Sequence, residues 1–248
     1  MSQRKQTRTR SRLATSLQFG VVGVPLYIVC AVLYGVLRLT GRIRIKHPER
    51  WPRGQGGYII ASNHPSLWEP IILMLLFPFE VMRHPIRRIP WSTPDKGNYD
   101  RWYWSLPRSR FIFVPRGKPK GELEALGKII RVLHAGGRVI MFAEGGRTHN
   151  GKVFRCSAGG SKRVRALRQG LARAACGSGA LVVHVWVDGA HRVLPAGCIV
   201  PRLWRRMTIT IGEPYQVSRI SSKDPERRER IVVQTEQHTQ QLLKTAEE

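Results

Sequence analysis

The chain has few acidic residues and few cysteines. Its 248 residues include 16 Asp and Glu against 42 Lys and Arg, giving a formal charge of +26. The four cysteines form no C-x-x-C pair, which argues against a zinc site or a disulfide framework and favours a reducing compartment. Gly-x-Ser-x-Gly is also absent, because Gly177-Ser178-Gly179 lacks that spacing. With no evident activating partner for Cys156 or Cys176, a serine or cysteine hydrolase is disfavoured.

The excess of positive charge indicates a polyanionic partner, such as nucleic acid, anionic lipid, a phosphorylated substrate or an acidic carrier protein. A hydrophobic content of 42% indicates a folded domain with its own core rather than a disordered basic tail. Residues 83–120 carry ten basic side chains interleaved with Trp and Tyr. This pattern suits a membrane interface, and it also suits single-stranded nucleic acid.

The N-terminal region divides into a basic arm, residues 1–12, and a membrane-associated segment, residues 13–45. No charged residue occurs between Leu13 and Leu37. Pro25 interrupts this stretch, so we expect two short helices, roughly 13–23 and 26–39, each too short to cross a bilayer. We expect them to dock into one leaflet from the cytoplasmic side, and a single spanning helix is the alternative. Residues 46–248 would form the remaining domain.

Apolar runs alternate with helical patterns along that domain. Such alternation predicts an α/β fold, with a mixed, largely parallel sheet flanked by helices. The strands are predicted at 58–60, 111–114, 139–142, 181–187 and 207–211. The helices are predicted at 71–77, 121–135, 167–176 and from 224 to the C-terminal end, and the face of the second is expected to contain Leu123, Leu126, Ile130 and Leu133.

A histidine and a carboxylate lie where the first of these strands gives way to a helix. His64 and Glu69 flank Pro65, which suits the first position of a helix and leaves His64 outside it. From there the imidazole is able to fold back toward Glu69, which would fix its tautomer and make it a base. The alternative is that His64 caps the helix and Glu69 is a first-turn acid favoured by the helix dipole.

A second chemical pattern follows the strand predicted at 139–142. Glu144, Gly145, Gly146 and Arg147 form a tight turn in which glycine backbone N–H groups are able to approach an anion. Two glycines in a turn are common, so this pattern is weak when taken alone.

Taken in order, these stretches resemble the PlsC-like glycerolipid acyltransferases, typified by lysophosphatidic acid acyltransferases. Asn63-His64 and Glu69 resemble that family's Asn-His-x4-Asp motif. Phe113-Val114-Pro115-Arg116 resembles its second motif, and residues 142–148 resemble Phe-Pro-Glu-Gly-Thr-Arg-Ser. The resemblance covers roughly residues 40–217.

The resemblance implies acyl transfer from acyl-CoA or acyl carrier protein to a lysophospholipid hydroxyl, most simply that of 1-acylglycerol-3-phosphate. His64 would be the base and Glu69 its partner. Arg116 and Arg147 would bind the acceptor phosphate, with N–H groups from Gly145 and Gly146, and Glu144 would orient Arg147. No metal or bound cofactor is expected. Membrane lipids are the expected partners.

The sequence departs from the family pattern at several positions. Glu69 replaces Asp, Arg110 stands in place of Gly, Gly146 in place of Thr, and His184 in place of Pro. The last three bear on acceptor and acyl-chain specificity. A non-phosphorylated or glycosylated lipid acceptor therefore stays open, and a basic nucleic-acid-binding protein is the alternative from another class.

Overall fold

The structure is a computed structural model of the 248-residue chain. It describes residues 24–52, 54, 56–66, 72–73, 89–95, 110–148, 153–195, 198 and 200–248.

A mixed sheet forms the centre of the described chain. The strands are β1 (Ile43–Lys46), β2 (Tyr58–Ser62), β3 (Trp91–Ser92), β4 (Arg138–Met141), β5 (Phe154–Cys156), β6 (Arg163–Arg165), β7 (Leu181–Asp188), β8 (Met207–Ile211) and β9 (Tyr215–Gln216). The main sheet has the order β1-β8-β7-β2-β4-β3, with β9 also paired to β7, while β5 and β6 form a separate hairpin. Strand β2 is parallel to both β4 and β7, whereas β8 and β9 are antiparallel to β7. The predicted mixed, largely parallel sheet is therefore confirmed.

Helices cover both faces of this sheet. They are α1 (Val24–Leu39), α2 (Pro119–His134), α3 (Gly170–Ser178), α4 (Ala190–Val193) and α5 (Arg227–Glu247). Tyr58 and Ile60 of β2 belong to the core cluster that includes residues of α1, and Ile59 and Ala61 to the cluster under α2 and α3. Because both faces of β2 are buried, its sequence is a continuous apolar run rather than an alternating one. This burial fixes the position at which the chain leaves the strand.

Two details differ from the sequence prediction. Residues 111–114 form no strand: Ile112 and Val114 donate backbone hydrogen bonds to Ser92 and Pro94, but Pro94 has no N–H to continue the ladder. The buried stripe of α2 runs through Ala125, Ile129 and Leu133, and Leu123 is exposed. Strands β1, β3 and β9, the β5–β6 hairpin and the short helix α4 were not predicted.

The second predicted N-terminal helix corresponds to α1, and the first lies outside the described residues. One face of α1 packs Tyr34 and Leu37 into the core. The other presents exposed apolar side chains, including Val29 and Val32, which are 64% and 62% exposed. Among the described residues, no helix combines the length and the apolar composition needed to cross a bilayer. Of the two expected helices, the structure therefore describes only the second.

Three titratable side chains, two buried imidazoles and one half-buried tyrosine, join β7, β9 and α5. His184 Nε2 lies 3.3 Å from His238 Nδ1, and the Tyr215 hydroxyl also contacts His238 Nδ1. Both imidazoles are buried, and the described residues offer no hydrogen-bond partner to His184 Nδ1 or His238 Nε2. Burial lowers the pKa of His238 to about 4, and burial together with His238 lowers the pKa of His184 well below its usual value. Burial raises the pKa of Tyr215, and the buried Cys176 of α3 raises it further.

We expect this cluster to make the fold sensitive to acid. The unfolded chain binds protons at these imidazoles near pH 6.5, and the folded chain does so only at lower pH, so stability falls as pH decreases through that window. For His238 alone, the loss in the free energy of unfolding between pH 7 and pH 5 is about 2 kcal/mol. Urea unfolding of the wild type and of His238→Gln at pH 7 and pH 5 measures this loss in the free energy of unfolding. The variant should lose less on acidification, whereas the exposed control His134→Gln should match wild type.

Candidate active site

The site begins where β2 and β7 end side by side. The Asn63 amide donates to Val187 O at 2.9 Å and accepts from Val187 N–H at 2.8 Å. These two bonds imitate a ladder step beyond the last residue of β2, at a buried position. They hold the two strand ends together at the point where the chain turns away from the sheet. His64 is the next residue, and its side chain is half-buried.

The backbone and the ring of His64 are both held by the segment that follows β4. Thr148 N–H donates to His64 O at 2.9 Å. The imidazole stacks on the Phe142 ring, with ring centroids 4.4 Å apart and an interplanar angle of 25°. The predicted partner Glu69 lies outside the described residues. Its pairing with His64 therefore stays a prediction.

Glu144 is a buried carboxylate that ties three segments together. Its Oε1 accepts His64 N–H and the Thr148 hydroxyl, each at 2.8 Å, and its Oε2 accepts Arg165 N–H at 3.0 Å. Burial raises its pKa, against the opposing effect of these hydrogen bonds. Sequence reasoning assigned Glu144 to orienting Arg147. The described contacts instead connect it to the backbone of His64 and Arg165, so it holds these two residues in fixed positions.

The turn after Glu144 is lined by arginine side chains from another part of the chain. Gly145 has φ +68°, and a Cβ at this position would lie 2.3 Å from Arg168 Nε. A Cβ on Gly146 would lie 2.5 Å from Arg165 Nη1. Gly145 N–H donates to Phe142 O at 3.2 Å, so this donor is used within the turn rather than turned toward an anion as predicted. The glycines instead let guanidinium groups approach the backbone closely.

Arg116 reaches the same turn, and its predicted role in binding a phosphate stays a prediction. Its guanidinium donates to Gly145 O, and its Nε lies 3.6 Å from Asp95 Oδ2. Burial lowers the pKa of Arg116, Asp95 raises it, and the nearby charges of Arg168 and Arg165 lower it further. Three cationic side chains therefore converge on Gly145 and Gly146.

Two cavities are lined by residues that adjoin His64, although His64 itself lines neither. The first, of about 480 Å³, is lined by Phe142, Gly145, Arg116 and Arg168 and by apolar side chains of α2 and α3. The second, of about 520 Å³, is lined by Asn63 and Pro65 on one side and by a basic rim. Its rim includes Arg147, Lys162, Arg163 and His191. The structure thus brings Arg116, Glu144, Gly145 and Gly146 together beside His64 and places Arg147 on the other cavity.

Sequence reasoning missed Arg165, Arg168 and the role of Asn63. The two arginines belong to a segment, 145–187, that contains no acidic residue. The absence of acidic residues could have indicated an anion-binding region, but it applies to the whole segment and does not single out Arg165 and Arg168.

A site at the carboxyl edge of a largely parallel sheet is the arrangement of an α/β enzyme. The fold resembles the crystal structure of the 1-acyl-sn-glycerophosphate (LPA) acyltransferase PlsC from Thermotoga maritima, with a TM-score of 0.54. The two chains are 18% identical, and the likeness covers 94% of this chain and 96% of that one. At this identity the likeness establishes the fold.

A family model described as Acyltransferase matches residues 42–188, which is more than half of the chain and includes every predicted site residue. The chain therefore belongs to the acyltransferase family, and it is an acyltransferase. No curated protein sequence matches it.

Proposed function

We propose that this acyltransferase transfers a fatty acyl group from a thioester to the hydroxyl of a lysophospholipid, with 1-acylglycerol-3-phosphate as the first candidate acceptor. The observation that carries the proposal is the position of His64. Its chain neighbours Asn63 and Pro65 line one cavity, and Phe142, on which its ring stacks, lines the other. Three arginine side chains converge on the nearby Gly145–Gly146 turn. A two-substrate transfer needs two binding sites that meet at the reacting atoms.

In the proposed reaction His64 is the general base. An alcohol is a poor nucleophile at neutral pH, so the imidazole takes its proton as the oxygen attacks the thioester carbonyl. A C–O bond forms, the C–S bond breaks, and the proton leaves with the thiol. Glu69 would hold the ring and stabilise the imidazolium. This chemistry requires no metal and no bound cofactor.

The two cavities differ in their linings, and this difference supports a separate cavity for each substrate. The first combines apolar side chains, such as Leu126, Met141 and Leu171, with the arginines at Gly145. This combination suits an acceptor with one acyl chain and a phosphate. The second, with its basic rim around Arg147, suits the phosphates of acyl-CoA or the acidic surface of an acyl carrier protein.

We also propose that the protein docks on the cytoplasmic face of an anionic membrane through the outer face of α1. Exposed apolar residues recur along this face at Ile28, Val29, Val32, Val36 and Leu39. The adjoining loop presents Trp204, 62% exposed, with the exposed Arg205 and Arg206, and Arg42 Nη1 bonds to Trp204 O at 2.7 Å. Exposed apolar and aromatic side chains beside arginines are the composition of a membrane interface.

Replacing Val29 and Val32 together with Asp should weaken vesicle binding about a hundredfold, because each valine loses roughly 1.5 kcal/mol of apolar burial. Flotation with vesicles containing anionic phospholipid measures the bound fraction. The matched control replaces Val232 and Val233, which are exposed valines of α5, with Asp. Equal binding by both double variants would contradict docking through α1.

Purified protein incubated with labelled acyl-CoA or acyl carrier protein and a panel of acceptors tests the function itself. We expect the greatest mass gain with 1-acylglycerol-3-phosphate. Acylation confined to neutral or glycosylated lipids would replace this acceptor with the alternative one. A salt-sensitive, sequence-independent gel shift without any acyl transfer would instead favour nucleic-acid binding.

A further inference from the structure

Three guanidinium groups from two distant parts of the chain meet over one glycine turn. Arg116 donates to Gly145 O, Arg168 Nε lies where a Cβ of Gly145 would be, and Arg165 Nη1 lies where a Cβ of Gly146 would be. This convergence is built by the fold, because Arg165 and Arg168 follow the Gly145–Gly146 turn by about 20 residues.

The backbone holds the two later arginines in place. Arg165 N–H donates to Glu144 Oε2 at 3.0 Å, and Arg168 N–H donates to Ala143 O at 2.8 Å. The segment from β6 to Arg168 is therefore fastened to the turn at both ends. Its arginine side chains extend from fixed backbone positions rather than from a solvated loop.

The local charge balance is positive. Arg116 has Asp95 nearby and a weaker influence from Glu122, whose carboxylate accepts Gly117 N–H at 2.9 Å. In the described part of the chain, neither Arg165 nor Arg168 forms an ion pair through its guanidinium. The Glu144 carboxylate accepts the backbone N–H of Arg165, not its side chain. Three converging cations in a partly buried site repel one another unless an anion lies between them.

We infer that Arg116, Arg165 and Arg168 together form a binding site for a phosphate monoester dianion, in which Arg165 and Arg168 determine the preference for a phosphorylated acceptor. The inference rests on the proposed function and assigns its acceptor site. Planar guanidinium groups bind phosphate through paired N–H donors, which gives this site both charge and direction.

The site is linked to the base through one carboxylate. Glu144 accepts hydrogen bonds from the backbone of His64 and from that of Arg165. A phosphate at the turn therefore has a fixed position relative to the imidazole. The apolar part of the same cavity continues from this point along α2 and α3 and has room for the acyl chain of the acceptor.

Steady-state kinetics of Arg168→Ala and Arg165→Ala test this assignment. With 1-acylglycerol-3-phosphate we expect the acceptor KM to rise about tenfold to a hundredfold, from the loss of a charge-assisted hydrogen bond. With an uncharged monoacylglycerol the KM should stay unchanged, so discrimination between the two acceptors collapses. Arg168→Lys keeps the charge but loses the fork and should fall between wild type and Arg168→Ala. Arg155→Ala is the control, because Arg155 is exposed on β5 and, unlike Arg165 and Arg168, is not among the side chains that a Cβ of Gly145 or Gly146 would meet.

The phosphate has two sources, the acceptor headgroup and the 3′-phosphate of a CoA donor, and the kinetics separate them. A rise in the donor KM instead of the acceptor KM would overturn the assignment to the acceptor. So would an unchanged acceptor KM in both alanine variants of a protein that does acylate the phosphorylated lipid; the proposed function would then stand without this site.

A second measurement uses wild-type protein and does not depend on activity or on the folding of a variant. Phenylglyoxal modification, mapped by mass spectrometry, should be slowed at Arg116, Arg165 and Arg168 by inorganic phosphate but not by chloride at equal ionic strength. Arg155 should be modified at the same rate in both. Equal modification of the three arginines with and without phosphate would overturn the inference, even if phosphorylated lipids prove to be the acceptors.

Discussion

His64→Ala should lower kcat for acyl transfer by about a thousandfold, while the protein stays folded and bound to vesicles. A positioned general base contributes roughly a hundredfold to ten-thousandfold to such a reaction, and we propose the His64 imidazole for this role. It stacks on Phe142, and Phe142 lines the first cavity. Removing the ring deletes the base but leaves the backbone bonds of residue 64 to Glu144 and Thr148. Rate measurements at saturating donor and acceptor concentrations give the loss in kcat directly.

Two controls separate this loss from general damage. His134→Ala removes an exposed imidazole from α2 and should keep wild-type activity. The melting temperature of His64→Ala should stay near that of wild type, because the ring is only partly buried. Retention of more than a few per cent of wild-type activity by purified His64→Ala would remove the base from the mechanism.

The central strands could be predicted from the sequence because burial on both faces makes them continuous apolar runs. Strands β2, β4 and β7 belong to this class. Strand β1 escaped prediction because Arg44 and Lys46 alternate with its apolar residues and are exposed. The β5–β6 hairpin escaped for a similar reason, since arginines occupy exposed positions in both strands.

The site was only partly predictable, because local patterns do not show which distant segments meet. The position of His64 follows from the strand before it. The bond from its N–H to Glu144, however, joins residues 80 positions apart, and the placement of Arg165 and Arg168 depends on the path of the chain after β6. The same limit explains Arg147. A Cβ on its neighbour Gly146 would meet Arg165, while the side chain of Arg147 lines the other cavity.

Among substitutions at residues that are not proposed to contact a substrate, we expect Glu144→Ala to be the most damaging. The carboxylate accepts two backbone N–H groups and one hydroxyl at a buried position. Each buried donor left without a partner costs roughly 1–3 kcal/mol, so the free energy of unfolding should fall by about 3–5 kcal/mol. The catalytic efficiency kcat/KM should fall at least a hundredfold, since both the base and the arginine turn lose their common support.

The amide variant sharpens this prediction. In Glu144→Gln the side-chain NH₂ must face either Arg165 N–H or the pair formed by His64 N–H and the Thr148 hydroxyl, so donors oppose each other in both orientations. The variant should therefore resemble Glu144→Ala rather than wild type. Glu247→Ala is the control, because that carboxylate also accepts a backbone N–H, from Gly159, but at an exposed position. Chemical unfolding together with separate acceptor and donor titrations gives the result. Wild-type stability and kinetics in Glu144→Gln would show that this carboxylate does not connect the base to the anion site.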